Sequence, residues 1–147
     1  VNPAPNLYHQ TVSRRLQFIL YTQIEQPKLG VVFNAPCDVQ ISTHDVLQPD
    51  LAVVLTKNQH ILLPEKIQGT PDLVVEILSL SSEARDRKLK RARYQKAGVP
   101  EYWIVDPFAH KVEQLVLRDD AYVLLPTADV LQLTILNDVF VRLEEIW

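Results

Sequence analysis

Two acidic residues stand where acids are expensive. Asp50 follows Pro49 at the head of the apolar run Leu51-Ala-Val-Val-Leu55, and Glu76 lies inside Leu73-Val-Val-Glu-Ile-Leu78. A carboxylate among β-branched side chains loses its hydration and needs a cation or hydrogen bonds in return. Two carboxylates brought together by neighbouring strands repel when both ionise, and a hard divalent cation with oxygen ligands relieves that repulsion. A Lys or Arg from the following helix would relieve it as well, and spacing alone leaves the two alternatives equal.

The cations are also concentrated. Arg85, Arg87, Lys88, Lys90, Arg91, Arg93 and Lys96 meet only Glu83 and Asp86 in their stretch, a local charge of +5 that leaves −8 on the rest of a chain whose total is −3. A sequence pI near 5.8 excludes a histone-like global grip on nucleic acid. A basic helix of this kind contacts a phosphate backbone through charge and counterion release, or else forms a solvated face. Asp72 shares a strand face with Glu76, but strand rise separates them by roughly 13 Å, too far to hold one ion together. It reads as a strand-end residue or a supporting neighbour of the site.

The elements that must position these groups follow from periodicity. Val12, Leu16, Ile19, Leu20 and Ile24 recur at helical spacing, which predicts a helix from His9 to about Gln26 capped by Asn6. Val31–Phe33, Cys37–Ser42 and Leu47–Thr56 read as strands, and the run between Pro71 and Ser79 reads as a buried central strand. Ser81 and Ser82 offer an N-cap for a helix to Ala97, which Gly98 ends before Val99-Pro100. Glu101–Asp106 is a further strand, and Lys111–Arg118 with Ala121–Leu125 forms a hairpin turning at Asp119-Asp120. The segment from there to Trp147 fits no single template. This order predicts one α/β domain over residues 1–147 with a mixed sheet.

Three linked motifs extend the reading. They are Pro71-Asp-Leu-Val-Val-Glu-Ile-Leu-Ser79, then Asp86-x-x-x-Lys90-x-x-x-Tyr94, then Gly98-Val-Pro-Glu-Tyr-Trp-Ile-Val-Asp-Pro107. With Gln48-Pro-Asp-Leu-Ala-Val53 and the helix opening at His9, the chain closely resembles the Uma-two family of restriction-endonuclease-like proteins, within the PD-(D/E)XK nuclease superfamily. The resemblance implies a helix-strand-strand-strand-helix-strand core, here with an additional C-terminal hairpin. It implies that Asp50 and Glu76 are acidic ligands of Mg²⁺ or Mn²⁺, with the Ile77 carbonyl a further oxygen donor. The superfamily's lysine two residues after the acid is replaced by Leu78, and the resemblance implies that Lys90 supplies the amine instead. Asp86, Lys90 and Tyr94 lie one helix turn apart on one stripe, so Asp86 would orient Lys90 and Tyr94 would support it.

The implied activity is metal-dependent hydrolysis of DNA phosphodiester bonds, with Arg85, Arg87, Lys88 and Arg91 on the phosphate backbone. The alternative is a catalytically silent nuclease-fold module that binds nucleic acid or assembles with itself. A homodimer is expected by analogy with nucleases that cut duplexes. The family pattern also places an acidic segment before the first helix. Because the chain starts at Val1 and has no methionine, that segment is expected to lie upstream.

Composition removes other chemistries. Cys37 is the sole cysteine, so neither an internal disulfide nor a cysteine zinc site can form, and a reducing cytoplasmic setting without a membrane is expected. Three glycines cannot make a phosphate-cradling loop. His44, His60 and His110 lack ligand spacing, and His9 reads as a capping or packing residue. Tyr102 and Trp103 read as core, Ser79, Ser81 and Ser82 as turn and cap residues, and Cys37 as a small packed hydrophobe.

Overall fold

A computed structural model describes residues 6–147. Helix α1 (Leu7–Leu20) begins where Asn6 Oδ1 accepts the His9 N–H at 2.7 Å, and a π-helical turn (Tyr21–Glu25) extends it. Its stripe of His9, Val12, Leu16 and Leu20, continued by Ile24, is buried on the central sheet. Strand β1 (Gly30–Asn34) follows, then β2 (Val39–Ser42), β3 (Asp45–Leu47) and β4 (Leu51–Leu55). After a 3₁₀ turn (Thr56–Ile61) come β5 (Ile67–Gln68), β6 (Leu73–Ile77), α2 (Ala84–Ala97), β7 (Glu101–Asp106), β8 (Lys111–Arg118) and β9 (Ala121–Leu124).

Six strands form the main sheet in the order β1-β4-β6-β7-β8-β9. All neighbours are antiparallel except β6 and β7, which α2 joins as a crossover. Both β4 and β6 are buried throughout, as strands covered on both faces must be. Alternation sends Leu51, Val53, Leu73, Val75, Ile77, Trp103 and Val105 toward α1. Val74, Tyr102, Ile104 and Leu115 face the opposite side, with Tyr94 of α2. Glu76 shares the parity of Val74, so it points to the α2 side.

The predicted strand Leu47–Thr56 is two strands in different sheets. Pro49 cannot donate to a ladder, and Gln48-Pro49-Asp50 carries the chain from a small sheet, ordered β3-β2-β5, into the main one. The predicted caps of α2 are also corrected. Glu83 occupies the N-cap without a side-chain bond, while Ser82 Oγ accepts the Ser79 N–H at 2.9 Å and so belongs to the preceding turn. Gly98 ends α2 in the left-handed region at φ 81°, and Asp119 and Asp120 take the positive φ that the hairpin turn requires.

The C-terminal segment pairs β10 (Val130–Gln132) with β11 (Phe140–Arg142) and lays Leu131, Leu133, Val139, Val141 and Ile146 into the core beside α1. One buried carboxylate anchors it. Glu101 Oε1 accepts from the backbone and hydroxyl of Thr134 at 2.8 and 2.6 Å, and Oε2 from Trp103 Nε1 and Gln114 Nε2 at 2.6 and 2.9 Å. No helix among the described residues is long and apolar enough to cross a membrane.

Candidate active site

Asp50 sits just outside β4, and its groups continue the ladder that Pro49 interrupts. Its N–H donates to the Val75 carbonyl at 3.1 Å, and its Oδ2 accepts the Ile77 N–H at 2.7 Å. One carboxylate oxygen is therefore fixed by the sheet. Among the described residues Oδ1 accepts no hydrogen bond, and the side chain as a whole is 25% exposed.

Glu76 is 6% exposed and projects from the carboxyl end of a strand that is buried throughout. Lys90 Nζ approaches its Oε2 to 3.1 Å from the second turn of α2. The contact is an ion pair, and among the described residues Oε2 has no other partner. Burial is the main force on this carboxyl and raises its pKa to about 7; Lys90 opposes the rise and Asp50 adds to it. Burial also raises Asp50, offset by the Ile77 N–H, His9 and Lys90.

Asp50, Glu76 and Lys90 line one hollow of about 230 Å³, together with Ile77, the serines of the β6–α2 loop, Asp86, Arg87 and Tyr102. It opens at the carboxyl end of β6, where the chain leaves the sheet for the crossover helix. A larger hollow of about 450 Å³, near Lys111, Asp129, Arg142 and Trp147, contains none of the expected residues. Volume alone does not mark chemistry.

The expected supporting residues divide. Asp86 lines the hollow but forms no ion pair with Lys90 among the described residues, so Lys90 is held by Glu76 and not by Asp86. Tyr94 is fully buried against Tyr102, ring centroids 5.0 Å apart, with its hydroxyl unpartnered. Burial and then the Glu76 charge push that phenol upward, placing it in the field of the site. Asp72 lies at the far end of β4, where Oδ2 accepts the Leu55 N–H and Oδ1 the Asn58 amide, each at 2.8 Å. It finishes a strand and takes no part in the hollow.

Of the basic residues, Arg87 lines the hollow, Arg85 and Lys88 are exposed, and Arg91 is half-buried. Arg93 is removed from that group by an ion pair with Asp45. His9 is the residue that sequence reasoning misplaced. Its Nε2 lies 3.0 Å from the Ile77 carbonyl oxygen and 3.8 Å from Asp50 Oδ2. The available signal was a polar residue on the apolar stripe of α1, at the buried spacing of Val12 and Leu16.

The donor set suits a hard cation. Two carboxylates and a backbone carbonyl supply oxygen, and a buried carboxylate oxygen without a hydrogen bond is what a cation would satisfy. No three Asp, Glu, His or Cys side chains converge on one point among the described residues. Water would complete the coordination, as Mg²⁺ commonly retains several waters.

A mixed sheet with a helix crossover, carrying two acids at its strand ends and an amine on the crossover helix, has the arrangement of a nuclease-type fold. The chain belongs to the Uma2 family, described as "Putative restriction endonuclease", whose sequence model matches residues 1–144. Among solved structures, its fold is similar to that of "a putative nuclease belonging to DUF820" from Anabaena variabilis ATCC 29413. The TM-score is 0.80 at 14% identity, over 98% of this chain and 82% of the other. No curated protein matches the sequence.

Proposed function

We propose that the chain is a divalent-metal-dependent endonuclease that hydrolyses DNA phosphodiester bonds. The observation that carries this reading is the convergence of Asp50, Glu76 and Lys90 on one hollow, with a buried Glu76 oxygen left unsatisfied. Asp50 Oδ1, Glu76 and the Ile77 carbonyl would hold Mg²⁺ or Mn²⁺. The bound cation would acidify a water and offset charge building on the phosphate.

The protein groups divide the remaining work. Asp50 presents one oxygen in a fixed direction because the Ile77 N–H holds the other. His9 holds the Ile77 carbonyl from the opposite side. Glu76 must be ionised to bind a cation, and the Lys90 ammonium favours that form. The Lys90 ammonium would donate to the attacking water or to a phosphate oxygen. Hydrolysis joins the water oxygen to phosphorus and breaks the phosphorus–oxygen bond to the sugar; the leaving oxygen takes up a proton. Arg87 at the rim, with Arg85, Lys88 and Arg91 further along α2, would meet the flanking phosphates.

Mn²⁺ titration calorimetry and nicking of supercoiled plasmid test this assignment together. Wild type should bind Mn²⁺ and nick; Asp50→Asn and Glu76→Gln should lose both. Lys90→Ala should keep the binding heat and lose most of the nicking. A second reading, a silent module, draws support from Lys90 closing on Glu76 and from the lack of three convergent metal-binding side chains among the described residues. Wild type that gives neither heat nor nicks would establish that reading and defeat the first.

A further inference from the structure

A second hollow, about 310 Å³, lies on the α1 side of Asp50, which is the one residue lining both hollows. Its helical wall is polar: Gln10, Ser13, Arg14 and Gln17 stand at i, i+3, i+4 and i+7, beside the apolar stripe that packs on the sheet. Gln17 Nε2 donates to Asn34 Oδ1 at 3.1 Å, and the Asn34 amide donates to the Ala35 carbonyl, so the opposite wall is fixed in advance. The side chains of Gln10, Ser13 and Arg14 make no hydrogen bond among the described residues, and Arg14 makes no ion pair there. One uncommitted cation with neutral donors, and no large apolar side chain, suits a diester anion. On the far side of Asp50, the first hollow carries Arg87 and Lys90 beside the carboxylates Glu76, Glu83 and Asp86. A single anion would fill one hollow. A linear chain of phosphates could meet Arg14 on one side of Asp50 and Arg87 on the other.

We infer that the α1 hollow receives the phosphodiester next to the one being cut, on the same strand, with Arg14 as its ionic contact and Gln10 and Ser13 as neutral ones. This rests on the nuclease reading and adds a positioning site that the acidic centre does not contain. Contact with a non-reacting phosphate persists equally before and during the reaction, so it acts on KM and leaves kcat unchanged.

The test is anisotropy of a labelled DNA duplex over a salt series, with Ca²⁺ in place of Mg²⁺, followed by steady-state cleavage with Mg²⁺. Arg14→Glu should weaken binding at low salt by about tenfold and reduce the salt slope by about one. Its KM should rise with kcat retained, and Arg14→Lys should restore most of the affinity. The same charge reversal at exposed Arg118 on β8 controls for net charge. If Arg14→Glu binds like wild type, or if Arg118→Glu loses as much, the α1 site is refuted while the nuclease reading stands. If wild-type protein binds no duplex at all, both fall.

Discussion

Replacing Glu76 by Gln should make the metal-free protein more stable. The folded-state pKa of about 7 lies well above the 4.5 of an unperturbed glutamate. Below pH 4.5 the group is protonated whether folded or unfolded, and its burial carries no ionisation cost. As pH rises from 4.5 to 7 the unfolded chain releases the proton first, so stability is lost through that window and stays lost above it. A gap of that size is worth about 3 kcal/mol at pH 8. Gln keeps the shape without the charge. The attraction of Lys90 is already contained in the pKa of about 7, so its lost partner carries no separate cost. The net expectation is a gain of about 3 kcal/mol in EDTA at pH 8, fading to nothing near pH 4.5. Urea unfolding followed by fluorescence of buried Trp103 reads it directly. Saturating Mn²⁺ should then reverse the order: at a thousand times Kd, wild type gains about 4.1 kcal/mol while Glu76→Gln gains none. A variant that is no more stable than wild type at pH 8, or equally stabilised at both pH values, would refute the argument that the site is kept charged at the fold's expense.

Other substitutions separate scaffold from chemistry. Asp50→Asn keeps an acceptor for the Ile77 N–H and should fold normally without a Mn²⁺ response, whereas Asp50→Ala strands that N–H and should cost about 1–3 kcal/mol in urea unfolding. His9→Ala removes the partner of the Ile77 carbonyl and should lower stability by about 1 kcal/mol and the cleavage rate more steeply than Mn²⁺ affinity. Glu101→Gln turns an amide N–H₂ toward either the Trp103 indole N–H or the Thr134 backbone N–H, neither of which can accept. It should cost about 2–4 kcal/mol and raise hydrogen exchange in β10 and β11 before the main sheet.

What the sequence disclosed was local. The C-terminal end of α2, the strand Glu101–Asp106 and the hairpin at Asp119-Asp120 are set by Gly98, Pro100, Pro107 and paired aspartates, and each appears where the sequence pattern places it. The expected centre is likewise brought together, because strand parity aims Glu76 at α2 and helical spacing returns Lys90 to it. The features that escaped depend on distant partners. His9 meets the Ile77 carbonyl 68 residues away, Arg93 meets Asp45 48 residues away, and Glu101 binds Thr134 33 residues away. No local pattern carries such pairings. Pro49 did signal a break, but the exchange of sheets that it permits becomes visible only when both sheets exist. The C-terminal segment lacked a clean period because its short strands are held by Glu101 and by packing on α1.

The hydrogen bond from the Ile77 N–H to Asp50 has an evolutionary consequence. Since Oδ2 serves the sheet, only Oδ1 distinguishes aspartate from asparagine in what the fold requires. A descendant could exchange that single oxygen for an amide and keep every strand in register, losing in one step the metal affinity proposed for this site. On that proposal enzyme and inert scaffold are mutational neighbours, and the residue at this position is the first to compare when relatives are sorted into cutters and binders.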